Sequence, residues 1–219
     1  MTIFSGVGLS MLIAAPIGAA ASQVGTLIMW ATEQAPLVMG ILVSVIVGVA
    51  LTLPISSAAI CAALGLTGIA GGAAVAGCCA QMIGFAVMSY KENGVGGLVS
   101  QGLGTSMLQM GNIVKNPRIW IAPTLASAIT GPLATCVFHF EMNGAAVSSG
   151  MGTCGLVGQI GVYTGWVSDI AAGTKAAITP MDWAAMVLLC FVLPAVLSVI
   201  FCEIERKLGW IKEGDLKLN

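Results

Sequence analysis

The chain has 219 residues, 58% of them hydrophobic and 8% charged, with eight Lys/Arg against nine Asp/Glu and a formal net charge of −1. So few charges cannot coat a soluble domain of this size. The balance gives no basic face for nucleic acid, and a single histidine gives no histidine-rich metal cluster.

Taken in chain order, the apolar segments are long enough for helices that cross a bilayer. The first is expected over residues 3–30, with a kink at Pro16, and the second over residues 36–53. No basic residue precedes Lys91, so the first segment lacks the positive leader of a cleavable signal peptide. Residues 54–71 (PISSAAICAALGLTGIAG) are apolar but short and rich in hydroxyls, and read as a re-entrant hairpin. A third span is expected over residues 72–90. Residues 99–114 then place Val99, Leu103, Met107, Met110 and Val114 at three-to-four spacing, as in a helix lying at the interface or packed sideways under the bundle. Asn116-Pro117 marks a turn into a fourth span, residues 119–138. Residues 144–166 contain seven glycines and no charge, so they read as a second broken hairpin. A fifth span, residues 181–202, carries Pro194.

These segments specify an all-α integral membrane protein with about five transmembrane helices, two re-entrant or broken-helix hairpins and one interfacial helix. It reads as a single membrane-embedded domain over residues 1–219, with residues 36–90 and 119–202 as internal repeat units. Lys91, Lys115 and Arg118 flank one loop, and Arg206, Lys207, Lys212 and Lys217 fall in or beside the tail, residues 203–219. The positive-inside rule makes both cytoplasmic and puts residues 139–182 on the outer side. The seven cysteines contain no C-x-x-C pair, so neither a disulfide framework nor a zinc site is expected.

Polar side chains inside a membrane are costly and are functional candidates by default. Gln81 falls within the third span. Gln109 and Asn112 share one face of the sideways segment, as ligand contacts or as helix–helix glue. His139, Glu141 and Asn143 stand at the outer end of the fourth span, either in a site or simply in water. Ser148, Ser149, Thr153 and Gln159 come from the second hairpin, Ser56 and Ser57 from the first, and the two hairpins are expected to meet with their serines facing a shared cavity. Carboxylates, amides and hydroxyls suit a hydroxyl-rich ligand, on whose ring Trp120 or Trp166 can stack. Gly40, Ser44 and Gly48 form a small-residue ridge for packing. There is no phosphate loop and no Ser/His/Asp arrangement, so no catalytic residue and no cofactor is expected.

Three phrases occur in order: TLPISSAAICAALGLTGIAGGAA, SQGLGTSMLQMGNIVKNPRIWIAPTLASAITGP and SSGMGTCGLVGQIGVYTGW. Together they resemble the membrane-embedded IIC-type proteins of the phosphotransferase system, in the branch that includes the PfoR-like regulators. The matched positions are Pro54, Ser56 and Ser57, then Gln109, Asn112, Asn116 and Pro117, then Ser149, Gly150, Gly152, Gly155 and Gly158. The resemblance implies a multi-pass permease subunit of the bacterial plasma membrane that binds a sugar or polyol. A IIB partner, itself charged by IIA, would phosphorylate that sugar. It also implies a homo-oligomer, expected to be a dimer, and relatives with additional spans before the matched region. Two alternatives are a membrane-embedded regulator or sensor that keeps the fold without transport, and an ion-coupled transporter or channel.

Overall fold

A computed structural model describes residues 2–218, with side chains from Gly18 onward. Helix α1 (Thr2–Gln34) leads into α2 (Pro36–Thr52), which begins on a proline at its first position and stops where Leu53 turns extended ahead of Pro54. The expected kink at Pro16 lies outside the described side chains. Short α3 (Ser57–Leu64) is capped at its start by the Ser56 hydroxyl and closed by Gly65 in the left-handed conformation. Then come α4 (Gly68–Met88), α5 (Tyr90–Val99), α6 (Met110–Lys115), α7 (Ile121–Pro132), α8 (Val157–Ala171), α9 (Pro180–Val187) and α10 (Leu193–Lys207).

Among the described residues, three continuous helical stretches are long and apolar enough to cross a membrane: Gly68–Met88, Pro117–Val137 and Pro180–Lys207. Pro36–Thr52 is a shorter apolar helix. Two of the long stretches widen into a π turn, at Leu133–Val137 after Pro132 and at Leu188–Val192 before Pro194. Proline lacks the N–H that would continue the helical ladder, so the ladder slips register beside it.

Helix α4 is buried along nearly its whole length, with α2, α7 and α10 packed around it. Small residues make that packing close. A Cβ on Gly77 would sit 2.0 Å from the Ser44 carbonyl oxygen, and one on Gly131 would sit 2.2 Å from the Gly40 carbonyl oxygen. The ridge of Gly40, Ser44 and Gly48 therefore faces both α4 and α7, and the Ser44 hydroxyl donates across to the Ser127 carbonyl at 2.8 Å. Large apolar side chains such as Ile46, Val114 and Val196 point outward, the reverse of a soluble fold and the surface that lipid covers.

Gln81 is fully buried in this bundle, and both ends of its amide are bonded. Its Oε1 accepts from Trp120 Nε1 at 3.0 Å and from the Thr52 hydroxyl at 3.3 Å, while its Nε2 donates to the Thr124 hydroxyl at 3.2 Å. Gln81→Leu leaves the Trp120 indole N–H without its acceptor, while Thr52 keeps Ser106 and Thr124 keeps the Trp120 carbonyl, and is expected to cost about 1–3 kcal/mol in a detergent unfolding titration. An unchanged midpoint would mean that the indole re-pairs without it.

The structure departs from sequence expectation in two places. Residues 99–114 are not one helix: α5 is kinked at Gly94 (φ 59°), and a π turn (Ser100–Gly104), a 3₁₀ turn (Ser106–Gln109) and α6 follow. The apolar stripe Val99, Leu103, Met107 and Val114 is exposed, whereas Gln101, Ser106, Gln109 and Asn112 are buried. The segment thus turns its polar side to the protein. The hairpins do meet, but the Ser57 hydroxyl donates to the Gly150 carbonyl at 2.7 Å and the Ser149 hydroxyl to the Leu66 carbonyl at 2.6 Å. Backbone groups freed by the broken helices take the hydroxyls, so these serines tie the hairpins together; Ser57 also borders an apolar cavity of about 200 Å³ against α2, which Ser56, Ser148 and Ser149 do not line. After α10 the chain folds back, with Ile211 and Leu216 buried against α4, α6 and α10.

Candidate functional site

The strip Phe138-His139-Phe140-Glu141-Met142-Asn143 leaves the α7 stretch, turns at Phe138 and His139, and pairs with Gly68 at Met142. Beyond the turn its side chains alternate: Phe140 and Met142 are buried, while His139 and Glu141 are exposed. Backbone bonds hold it in place. Phe140 N–H donates to the Ala134 carbonyl at 2.8 Å, and Met142 exchanges two 3.0 Å bonds with Gly68 at the start of α4. Gly72 admits the close approach, since a Cβ there would lie 1.6 Å from the Phe140 carbonyl oxygen. His139 adopts φ 43°, a left-handed conformation costly for a residue with a Cβ.

The strip walls a cavity of about 470 Å³. The opposite wall comes from Trp166 and Asp169 on α8, from Thr174 and Lys175 in the following turn, and from Met181, Asp182 and Ala185 on α9. Asp182 is held there because it closes a capping box with Thr179 at the start of α9. Lys175 Nζ donates to Asp182 Oδ1 at 2.8 Å and lies 5.5 Å from the centre of the Trp166 ring. Trp183 meets the same indole edge-on, with ring centres 5.6 Å apart.

Asn143 is the hinge of the polar arrangement. Its Nδ2 donates to Glu141 Oε2 at 3.0 Å and to Asp169 Oδ2 at 2.8 Å, holding two carboxylates side by side. Their other oxygens have no partner among the described residues and are free to accept. With three carboxylates and one ammonium, the cavity has an excess of two negative charges. It is built to receive hydroxyl or amine donors and to repel anions. Among the described residues no group of three or more His, Cys, Asp or Glu is placed to hold a metal ion.

Of the sequence candidates, the structure brings His139, Glu141 and Asn143 to this cavity. The rest lie elsewhere. Ser56 caps α3, Ser57 and Ser149 join the hairpins, and Ser148 packs against Gly161. Thr153 donates to the Gly102 carbonyl, and Gln159 donates to Cys79 Sγ at 3.3 Å while its buried Oε1 has no partner. Gln109 and Asn112 bond to one another and to the carbonyls of Leu216 and Lys217. Trp120 donates to Gln81 and does not line this cavity, whereas Trp166 lines it, with Lys175 5.5 Å from its ring centre and Trp183 edge-on.

Asp169, Lys175 and Asp182 were missed by residue-type reasoning, yet a signal was present. They and Glu141 are the only charged residues between Arg118 and Glu203, and all four line this one cavity. Charges scarce in an apolar stretch converge because burial away from one another would leave each unpaired.

A family model described as Phosphotransferase system, EIIC matches residues 1–218. No curated protein and no solved structure matches the chain.

Proposed function

Given that this chain belongs to the phosphotransferase system EIIC family, and so is a membrane-embedded sugar-transport permease subunit, we propose that the cavity around Asn143 is where its sugar first binds. The observation that carries this is the convergence of every charge between Arg118 and Glu203 on one cavity of sugar-accommodating size. Free oxygens of Glu141 and Asp169 accept paired hydroxyls of the ligand, and Asn143 keeps the two carboxylates at fixed spacing. Lys175 neutralises Asp182 and leaves the acidic pair unneutralised, so an uncharged sugar or polyol is preferred to its phosphate.

In the same reading the cavity opens to the outside, and the basic ends at Lys91, Lys115, Arg118 and Arg206 face the cytoplasm, where a IIB partner phosphorylates the sugar. The ligand would then cross between the α7 and α10 stretches. Each has a π turn, and both turns contribute to the apolar cluster beneath the cavity.

Thermal melting of the purified protein against a panel of sugars, polyols and sugar phosphates tests this assignment. A ligand at a hundredfold excess over its Kd adds about 2.7 kcal/mol of stability. The expected result is a reproducible rise with one class of neutral sugar or polyol and none with the corresponding phosphate. A panel that is flat for folded protein, or a larger rise with phosphates, overturns it.

A further inference from the structure

The segment after α10 is bound to the rest of the chain as a peptide is bound by a receptor. Gly209, at φ 71°, reverses the chain at the end of α10, with Trp210 N–H returning to the Glu205 carbonyl at 2.9 Å. From there the segment is read through its backbone. Asn116 donates to the Trp210 carbonyl (2.9 Å), Asn93 and Gln109 to the Leu216 carbonyl (2.8 and 3.0 Å), and Asn112 to the Lys217 carbonyl (2.9 Å). Glu92 accepts the Leu216 N–H at 2.9 Å, and Asn93 accepts the Leu218 N–H at 2.8 Å.

All five reading side chains come from residues 92–116. Asp215, bonded by Asn116 at 2.8 Å, is the one side chain of the segment that they read. Beyond them, Arg118 lies 5.6 Å from the centre of the Trp210 ring, and two apolar anchors, Ile211 and Leu216, fill slots lined by residues such as Ile113, Ile119 and Cys202. Lys212, Glu213 and Gly214 between the anchors are exposed, and Gly214 (φ 94°) has open space where a side chain would stand.

We propose that residues 210–218 are a displaceable strap, an internal peptide ligand whose release bares a groove that reads an extended backbone with one leucine. Three features set the segment apart from an ordinary folded surface segment. It attaches at two points, with an exposed loop between them. It pivots on a glycine. It holds a stretch that is itself broken into short pieces, so that Gln109 and Asn112 lose carbonyl acceptors when it leaves.

Release also reaches inward. Gln109 bonds Gln101, which bonds Ser89, and Ser106 in the turn ending at Gln109 bonds Thr52 beside Gln81. Strap occupancy thereby sets the order of the loop carrying Lys91, Lys115 and Arg118. If a phosphocarrier docks on that loop, as the function proposed above requires, the strap controls its access; the latch itself stands without that reading.

Native-state hydrogen exchange on the full chain in detergent micelles is the test. The amides of Leu216 and Leu218 are expected to exchange at least about tenfold faster than the α4 core, by opening without global unfolding. Leu216→Asp should strip protection from residues 90–116 while leaving Gly68–Met88 protected, and a synthetic peptide of residues 209–218 should restore it. The same peptide with aspartate in place of its leucine at position 216 should not. Exchange of the strap only through global unfolding in the wild type overturns the proposal. So does a Leu216→Asp variant that stays folded and keeps residues 90–116 protected, or one that the peptide fails to rescue.

Discussion

Gly77→Leu is expected to abolish the native bundle, or to lower its stability by at least about 3 kcal/mol, the upper range for overpacking a core. The reason is the identity of the atom in the way. The Ser44 carbonyl oxygen lies 2.0 Å from where the first side-chain carbon would go, with its carbonyl carbon and Cα at 2.6 Å. Backbone cannot rotate aside as a flexible side chain does, so α2 and α4 must separate. Separation also breaks the Ser44–Ser127 bond and moves α7, which approaches Gly40 as closely as α4 approaches Ser44. Without a strong hydrophobic drive between helices in lipid, such close contact is what holds them together. Gly111→Ala is the matched control: nothing lies within 4 Å of its Cβ position, and replacing an exposed helical glycine should leave stability unchanged or slightly raised. Unfolding titrations of both variants decide the matter, and similar midpoints would show that the interface can relax.

Asp169→Ala is expected to weaken binding of the panel's best ligand by about 10- to 100-fold, the range for a lost charge-assisted hydrogen bond. Its Oδ2 is anchored by Asn143 and its other oxygen is free, so the carboxylate is positioned before any ligand arrives. Glu141→Gln should cost less, because Glu141 is more exposed and its amide replacement retains one acceptor. Neither residue packs in an apolar cluster, so both variants should melt at the wild-type temperature without ligand. Titration of the purified variants by calorimetry checks this, and unchanged affinity in Asp169→Ala would remove the acidic pair from the site. Lys175→Met supplies the opposite test. It unpairs Asp182 and adds a net negative charge, so discrimination against sugar phosphates should sharpen.

Much was legible in the residues alone. The scarcity of charge identified a membrane protein, and the apolar runs located α2, α4 and the α7 and α10 stretches to within a few residues. The Gly40-Ser44-Gly48 ridge was readable because small residues four apart must share one face of a helix. The phrases shared with IIC-type proteins pointed to the family over a narrower part of the chain than the match over residues 1–218. His139, Glu141 and Asn143 were readable as neighbours because FHFEMNG gathers them where the fourth apolar run ends.

What tertiary structure alone decided is which polar groups are already occupied. A sequence reports that Gln81, Gln109, Asn112, Ser57 and Ser149 are polar within apolar surroundings, and each was an equal candidate for a ligand. Folding assigned them to Trp120, to the strap and to the broken-helix carbonyls, because an unpaired polar group away from water costs more than almost any alternative pairing. Periodicity likewise marks a face without saying what covers it. Residues 99–114 kept their apolar stripe, but in a protein whose outside is apolar that stripe turned outward and the amides turned in. The cavity depends on contacts of the same kind: Asp169, Lys175 and Asp182 meet Glu141 only because α8, α9 and the strip after α7 converge, and no local rule of sequence encodes that convergence.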